Sequence, residues 1–265
     1  MARLRFTILG CGSSGGVPRI GNLWGDCDPT NPKNRRSRCS LLVERIGEGG
    51  TTTILIDTSP DMRAQLLAAN VAALDAVVYT HNHADHVHGI DDLRQIVIHN
   101  RRRLPVWADP DTQEALFDRF GYAFVQPEGS SYPSICDMHT IKGPITLTGA
   151  GGEVTLTPFR VTHGDIDALG FRIGGLAYLP DVSDIPEAAL PHLRGLDVWI
   201  LDALRRKPHP THFHLEQALD WIALMKPARA VLTNMHNDLD HATLQAETPA
   251  HVDAAFDGMQ IEMDV

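Results

Sequence analysis

Cysteine is scarce in this sequence: Cys11, Cys27, Cys39 and Cys136 are the only four in 265 residues, and no two form a CxxC pair. With wide spacing and no CxxC pair, neither a disulfide framework nor a thiolate zinc knuckle is signalled, and scattered thiols suit a reducing compartment. No run of about 18 apolar residues occurs, which removes a membrane-spanning helix and any membrane partner from the expectation. The opening MARLRFTILG is too short and too interrupted to read as a signal peptide, so a cytoplasmic location is expected. Positive charge is in the minority, with 23 Lys and Arg against 33 Asp and Glu and a net charge of −10. Gripping long nucleic acid means neutralising many phosphates, so no long nucleic acid is expected as a partner. Fixed-period repeats and low-complexity tracts are also missing. What remains, 43% hydrophobic and 21% charged, is a globular composition, and one domain over 1–265 is the expectation.

Short runs rich in Ile, Val and Leu, separated by Gly, Pro and Asn, predict strands at 4–9, 40–45, 53–57 and 76–79. The stretch 60–69 predicts a helix, with Ser59 as N-cap and Pro60 at the first helical position, and helices at 89–99 and 110–120 follow. The second half predicts strands at 145–148, 153–162, 168–173 and 175–179. Helices at 186–193, 215–225 and 241–247 then alternate with strands at 197–202, 229–233 and 259–264. Strands in runs followed by alternation indicate an α/β protein, for which a four-layer αββα sandwich is the expected architecture. A doubly wound sheet has the same periodicity.

GCGSSG at 10–15 matches the G-x-G-x-x-G pattern of dinucleotide sites directly after a predicted strand. Its context is wrong, because the following GVPRIGNLWGDCDPTNPKN is too rich in Gly, Pro and Asn to open the helix that would hold a pyrophosphate. A turn with exposed backbone N–H groups is expected instead, and such a turn can line an anion site through Ser13 and Ser14.

The densest chemistry lies at 80–89, THNHADHVHG, where His81, His83, His86 and His88 accompany Asp85. The histidines are spaced by two, three and two, which is neither a helical nor a strand period. The segment leaves the carboxyl end of the predicted strand 76–79, where side chains converge on a crevice. Imidazole and carboxylate are ligands for borderline divalent metals, and H-x-H-x-D-H lets one loop serve two neighbouring ions. Two ions need more ligands than one loop supplies. Candidates follow later strands: His163 in VTHGD, Asp181 in LPDVSD and His236 after RAVLTN.

These motifs carry a resemblance. GCGSSGGVP, LIDTSPD, THNHADHVHG, VTHGD, LPDVSD, HPTHFHLEQAL and LTNMHNDLDH together resemble the metallo-β-lactamase superfamily, and within it the PhnP-like phosphoribosyl 1,2-cyclic phosphate phosphodiesterases. The resemblance implies that His81, His83 and His163 hold one metal, that Asp85, His86 and His236 hold the other, and that Asp181 bridges them. It places Asp57 behind the ligands as a support. His212, in the T-H-x-x-L frame of HPTHFHLEQAL, is implied as the general acid, with Asp85 and Asp181 also serving the chemistry. Two departures stand out. A cysteine-lined structural zinc lobe is expected to be missing, because Cys27 alone remains there. Where the relatives read LTH this chain reads LTN, so His236 is assigned with a shifted register and His241 is the fallback.

The implied activity is that of a dinuclear metal-dependent phosphodiesterase, with Zn or Mn as the two divalent ions and a metal-bridging hydroxide attacking a small cyclic phosphate or nucleotide-like ester. Arg35, Arg36 and Arg38 in NRRSRCS could bind the substrate phosphate or form a solvated basic edge, and the sequence favours neither. The expected partner is a small phosphorylated substrate or nucleotide, and a homodimer is compatible with the sequence. The same scaffold also hydrolyses lactones, thioesters and RNA ends, and a non-hydrolytic accessory binding protein is a further alternative that retained ligands argue against.

Overall fold

The structure, a computed structural model, describes residues 2–265. Its strands are β1 (Arg3–Gly10), β2 (Ser40–Gly47), β3 (Gly50–Ile56), β4 (Ala76–Val78), β5 (Leu104–Ala108), β6 (Cys136–Thr140), β7 (Ile145–Gly149), β8 (Gly152–His163), β9 (Ile166–Ile173), β10 (Leu176–Leu179), β11 (Val198–Asp202), β12 (Arg229–Thr233), β13 (Val252–Ala254) and β14 (Met259–Asp264). The α-helices are α1 (Met62–Ala68), α2 (Ala84–Val87), α3 (Leu93–Asn100), α4 (Pro110–Phe124), α5 (Leu215–Met225) and α6 (His241–Glu247). They form two seven-stranded sheets, ordered β14-β1-β2-β3-β4-β5-β6 and β13-β12-β11-β10-β9-β8-β7. The chain divides into two compact units, the first made of residues up to Leu9, Ser40–Thr155 and Gln260–Val265, the second of Gly10–Cys39 and Leu156–Met259.

In the first unit β2 and β3 form an antiparallel hairpin, and β3, β4, β5 and β6 then run parallel. Parallel strands are covered on both faces and therefore read as continuous apolar runs. β4 fits this description, since Ala76, Val77 and Val78 are all buried. Leu55, Val77 and Val106 from the strands pack with Leu66 of α1, Leu93 of α3 and Leu116 of α4 in one cluster. Parallel pairing aligns the carboxyl ends of neighbouring strands: Ile56 is opposite Val78, so Asp57 and Thr80 leave the sheet on the same edge.

The second unit repeats the device. β10, β11, β12 and β13 are parallel, and β9 pairs antiparallel with β8 and β10. Leu179 is opposite Leu201, and Asp202 is opposite Thr233. The residues just beyond these strands, Asp181 and Asn234, therefore share an edge with Asp202.

Several expected elements change on folding. β5, β6 and β13 were not anticipated, because LPVWA carries a proline, CDMHT is largely polar and VDA is three residues long. The helix expected at 186–193 is a 3₁₀ helix, Glu187–Leu193, with Pro191 inside it. The one expected at 89–99 is a 3₁₀ turn, Ile90–Asp92, followed by α3. Ser59 is not the cap of α1: Asp61 is, and the Ser59 hydroxyl accepts from the Asp61 N–H at 3.1 Å in a local turn before the helix.

Candidate metal centre

In the first unit the histidine loop is built on a buried carboxylate. Asp57 directly follows β3 with φ at +65°, a left-handed conformation that a side chain adopts only when its surroundings dictate it. Both its oxygens are used. The Thr80 N–H donates to Oδ1 at 2.8 Å, and the Thr80 hydroxyl and His86 Nδ1 donate to Oδ2 at 2.7 and 2.8 Å. Burial raises the Asp57 carboxyl above its ordinary range, and its bonds with His86 and Thr80 oppose that rise. Because the Asp57 carboxylate accepts the Nδ1–H, the lone pair of His86 is on Nε2, which leaves that nitrogen able to ligate a metal.

His81 and His86 have ring centroids 4.3 Å apart, and His81 and His83 4.7 Å apart. His81 and His86 are buried, Asp85 is half-buried and His83 is exposed. The loop is also held from α4. The Arg119 guanidinium donates to the Asn82 carbonyl, the peptide between two of the histidines, and Phe120 packs edge-on to His88 at 5.5 Å. α4 departs from helical geometry at Phe120, where φ is −134° and ψ is 30°.

In the second unit the polar residues come from four strand ends. His163 closes β8, Asp181 follows β10, His212 lies beyond β11 and Asn234 follows β12. One ligand atom from each of His163, Asp181 and His212 lies within 4.8 Å of the others, a group that could hold a metal ion. His163 Nδ1 donates to the Thr211 carbonyl at 2.7 Å, which puts its lone pair on Nε2, 3.9 Å from Asp181 Oδ1. Gly164 makes room for this bond: its φ is +63°, and a β-carbon there would sit 2.4 Å from Thr211 Cγ2.

His212 is held by Asp202, whose Oδ2 accepts from His212 Nδ1 at 2.9 Å and from the Val182 N–H at 3.1 Å. Asp202 is fully buried, and that burial pushes its carboxyl up to about 7 against the pull of the His212 imidazole. Asn234, with φ at +60°, donates through Nδ2 to the Pro180 carbonyl at 3.0 Å and to Asp181 Oδ1 at 3.1 Å. It occupies the position after β12 where the family resemblance led to the expectation of a histidine.

The remaining expected site residues are distributed as follows. His236 is half-buried beside a cavity lined also by Asp26, Arg205, Arg206, Lys207 and Asp238. Burial and the charges of Arg19 and Arg205 lower the His236 imidazole. His241 is the first residue of α6, its N–H donating to Asn34 Oδ1 at 2.7 Å and its ring 6.0 Å from that of Phe256. Arg36 is buried, and its guanidinium donates to the carbonyls of His236 at 3.1 Å and Leu239 at 2.7 Å, so it clamps the segment after β12. Arg35 is exposed over the Trp24 ring, and Arg38 is half-buried. Ser13 is buried with its N–H donating to the Met235 carbonyl, while Ser14 is exposed.

Sequence reasoning missed Asp202, Thr211, Asn234 and Arg119. Asp202 was the one within reach, since it ends an apolar strand much as Asp57 follows one. The other three act through a carbonyl, an amide and a helix surface, which no motif marks.

Comparison with known proteins places these features in a lineage. The family model for the “Beta-lactamase superfamily domain” matches residues 52–235. A solved structure described as a new diphosphatase from the PhnP family is 37% identical, covers 99% of this chain and 98% of its own, and superposes with a TM-score of 0.87. Zn²⁺-bound PqqB from Methylobacterium extorquens covers 97% of this chain and 99% of its own with a TM-score of 0.74 at 19% identity, a likeness of fold alone. An octanoyltransferase of Porphyromonas gingivalis is 35% identical over 98% of this chain, and the chain spans about half, 52%, of that protein's length.

Proposed function

Because this chain belongs to the β-lactamase superfamily, and within it to the PhnP family, we propose that it is a dinuclear metal-dependent phosphodiesterase acting on a small cyclic phosphate or nucleotide-like diester. Its fold class is α/β, that of the four-layer αββα metallo-β-lactamase sandwich. The observation that carries the reading is the set of His and Asp side chains whose ligand atoms lie within 4.8 Å of one another, His163 and Asp181 among them. The donor set fits the ions: nitrogen and oxygen without thiolate suit Zn or Mn, and the imidazoles of His86 and His163 have Nδ1 engaged and Nε2 ready to ligate.

In this reading His81, His83 and His163 would hold one ion, Asp85 and His86 with the expected His236 would hold the other, and Asp181 would serve both, because a carboxylate offers two oxygens. Asn234 orients Asp181 from behind. The bound ions supply Lewis acidity and a water that ionises near neutral pH. His212 protonates the leaving oxygen from Nε2, while Asp202 keeps the Nδ1–H in place and steadies the imidazolium before transfer. The expected location is cytoplasmic, and no helix among the described residues is long and apolar enough to cross a membrane.

Support for a phosphodiester comes from the 37% identity with the PhnP-family diphosphatase. The test is turnover by Zn²⁺- and Mn²⁺-loaded protein on 2′,3′-cyclic nucleotides, an aryl phosphodiester, a lactone and an octanoyl thioester, with Asp181→Ala as control. Phosphodiester hydrolysis lost in the control is expected, and its absence overturns the reading. A second reading, hydrolysis of an acyl thioester at the same centre, is favoured by the 35% identity to half of an octanoyltransferase. Turnover of the octanoyl thioester alone would select it.

A further inference from the structure

GCGSSG at 10–15 is a motif that the proposed chemistry leaves unused, and within the second unit it packs between two other chain segments. Gly12 lies so close to the segment before β2 that a β-carbon on it would be 2.9 Å from Arg36 Cβ and 3.0 Å from the Arg36 carbonyl oxygen. Its N–H donates to the Ser37 carbonyl at 2.8 Å. On its other side the turn meets the segment after β12. The Met235 N–H donates to the Cys11 carbonyl at 2.8 Å, and the Ser13 N–H donates to the Met235 carbonyl at 3.3 Å. Met235 stands between Asn234, which donates to Asp181, and His236.

Asp257, in the turn between β13 and β14, ties the motif to the segment before β2 through its carboxylate. Its Oδ1 accepts from the Cys11 N–H at 3.1 Å and from the Cys11 thiol at 3.4 Å. Its Oδ2 accepts from the Ser37 N–H at 2.7 Å and from the Ser37 hydroxyl at 2.6 Å. All four donors are uncharged. Burial raises the Asp257 carboxyl to about 6, and the bonds from Ser37 and Cys11 oppose that rise. The other charged or titratable groups of the surrounding segments are Arg36 and Arg38, which flank Ser37, and Lys33 and His241, which face the neighbouring Phe256 ring at 4.6 and 6.0 Å. The Arg36 guanidinium is engaged by the carbonyls of His236 and Leu239. Because the folded protein holds the Asp257 proton more tightly than an ordinary carboxyl does, ionising this group on the way to neutral pH lowers stability, which points to a role for its charge other than stability.

We propose that Asp257 is a positioning residue: by tying the Cys11 turn to Ser37 it sets where Met235 is held, and with Met235 the side chains of Asn234 and His236 on either side. The hydrolase reading uses both of these, Asn234 behind Asp181 and His236 at an ion, so the purpose of the clamp rests on that reading. An asparagine in place of Asp257 accepts on one oxygen only and turns an amide donor toward the other pair of N–H, O–H or S–H groups. Protonation of the carboxyl, which sets in below about pH 6, weakens one side of the clamp in the same way.

The test is native-state amide hydrogen exchange by NMR in the full chain and in its Asp257→Asn and Ser37→Ala variants, joined to Mn²⁺ affinity in chelator competition. At neutral pH the protection factors of the Met235 and Ser13 amides are expected to fall about tenfold in Asp257→Asn and about threefold in Ser37→Ala, which removes one donor of the four. In the unsubstituted chain the same protection steps down with a midpoint at about pH 6, and Asp257→Asn lacks the step. Mn²⁺ affinity is expected to fall about tenfold in Asp257→Asn, the lower end for a supporting contact. Unchanged protection at Met235 and Ser13 in both variants, or protection lost evenly over the whole unit together with a lower thermal midpoint, overturns the clamp. Protection lost at the two amides with Mn²⁺ affinity unchanged overturns the positioning role. If Asp257→Asn does not fold, Ser37→Ala decides by the same two readouts. A chain that hydrolyses no phosphodiester fails the hydrolase reading alone, since exchange and metal affinity are measured without substrate.

Discussion

The candidate site residues of the two units are assembled in opposite ways. In the first unit one loop of seven residues, His81–Val87 counted from its first histidine, supplies His81, His83, Asp85 and His86, and a single buried carboxylate, Asp57, organises it. In the second unit no two site residues are neighbours in sequence: the candidate ligands His163 and Asp181 and the candidate proton donor His212 come from different strand ends and are held by a backbone carbonyl, an amide and a second buried carboxylate. A contiguous loop carries its ligand geometry in its own turn, so it needs one anchor. A dispersed set needs one for each ligand, and each ligand can be disturbed without disturbing the rest.

That contrast can be broken experimentally, starting with the largest effect. His212→Ala removes the proton donor and is expected to lower kcat by about 10²–10⁴-fold with metal content unchanged; loss of metal, measured by elemental analysis, would instead make His212 a ligand. Asp57→Asn deprives Thr80 and His86 of an anionic acceptor and is expected to weaken metal binding about 10–100-fold in chelator competition. A change confined to kcat there would sever Asp57 from the metal loop.

Smaller perturbations sharpen the comparison. Arg119→Ala leaves the Asn82 carbonyl without its guanidinium, and metal affinity should fall by about tenfold, the lower end for a supporting contact. The Co²⁺ absorption spectrum should shift, and Arg119→Lys should restore part of both. An unaltered spectrum would show that Asp57 alone braces the loop. Gly164→Ala forces a β-carbon onto Thr211 at a positive φ and is expected to cost about 1–3 kcal/mol of stability in denaturant unfolding. Since Thr211 anchors His163, the substitution should also disturb His163 in the NMR spectrum while leaving the Nδ1–H of His86 in place.

The same contrast explains what could be read in advance. THNHADH was legible because its ligands are adjacent and their spacing fits no packing period. His163 and Asp181 were singled out as strand-end residues, a weaker signal, and folding brings a ligand atom of each within 4.8 Å of the other. β5, β6 and β13 escaped because their residues are apolar or β-prone only in the context of neighbouring strands. Arg36 shows the limit most clearly: NRRSRCS reads as a surface basic run, yet its middle arginine is buried because the carbonyls of His236 and Leu239, two hundred residues away, accept its N–H groups.

The sequence by itself determined the α/β class, the histidine loop and the types of atom available to a metal, since each follows from local composition and spacing, and its motifs carried the resemblance to the superfamily. Only tertiary structure decided which ring nitrogen of His86, His163 and His212 a protein acceptor engages, that Asn234 rather than a histidine stands behind Asp181, and that Asp202 holds His212. Those outcomes depend on hydrogen bonds between residues far apart in the chain, and a partner brought in by folding leaves no trace in the spacing of its neighbours.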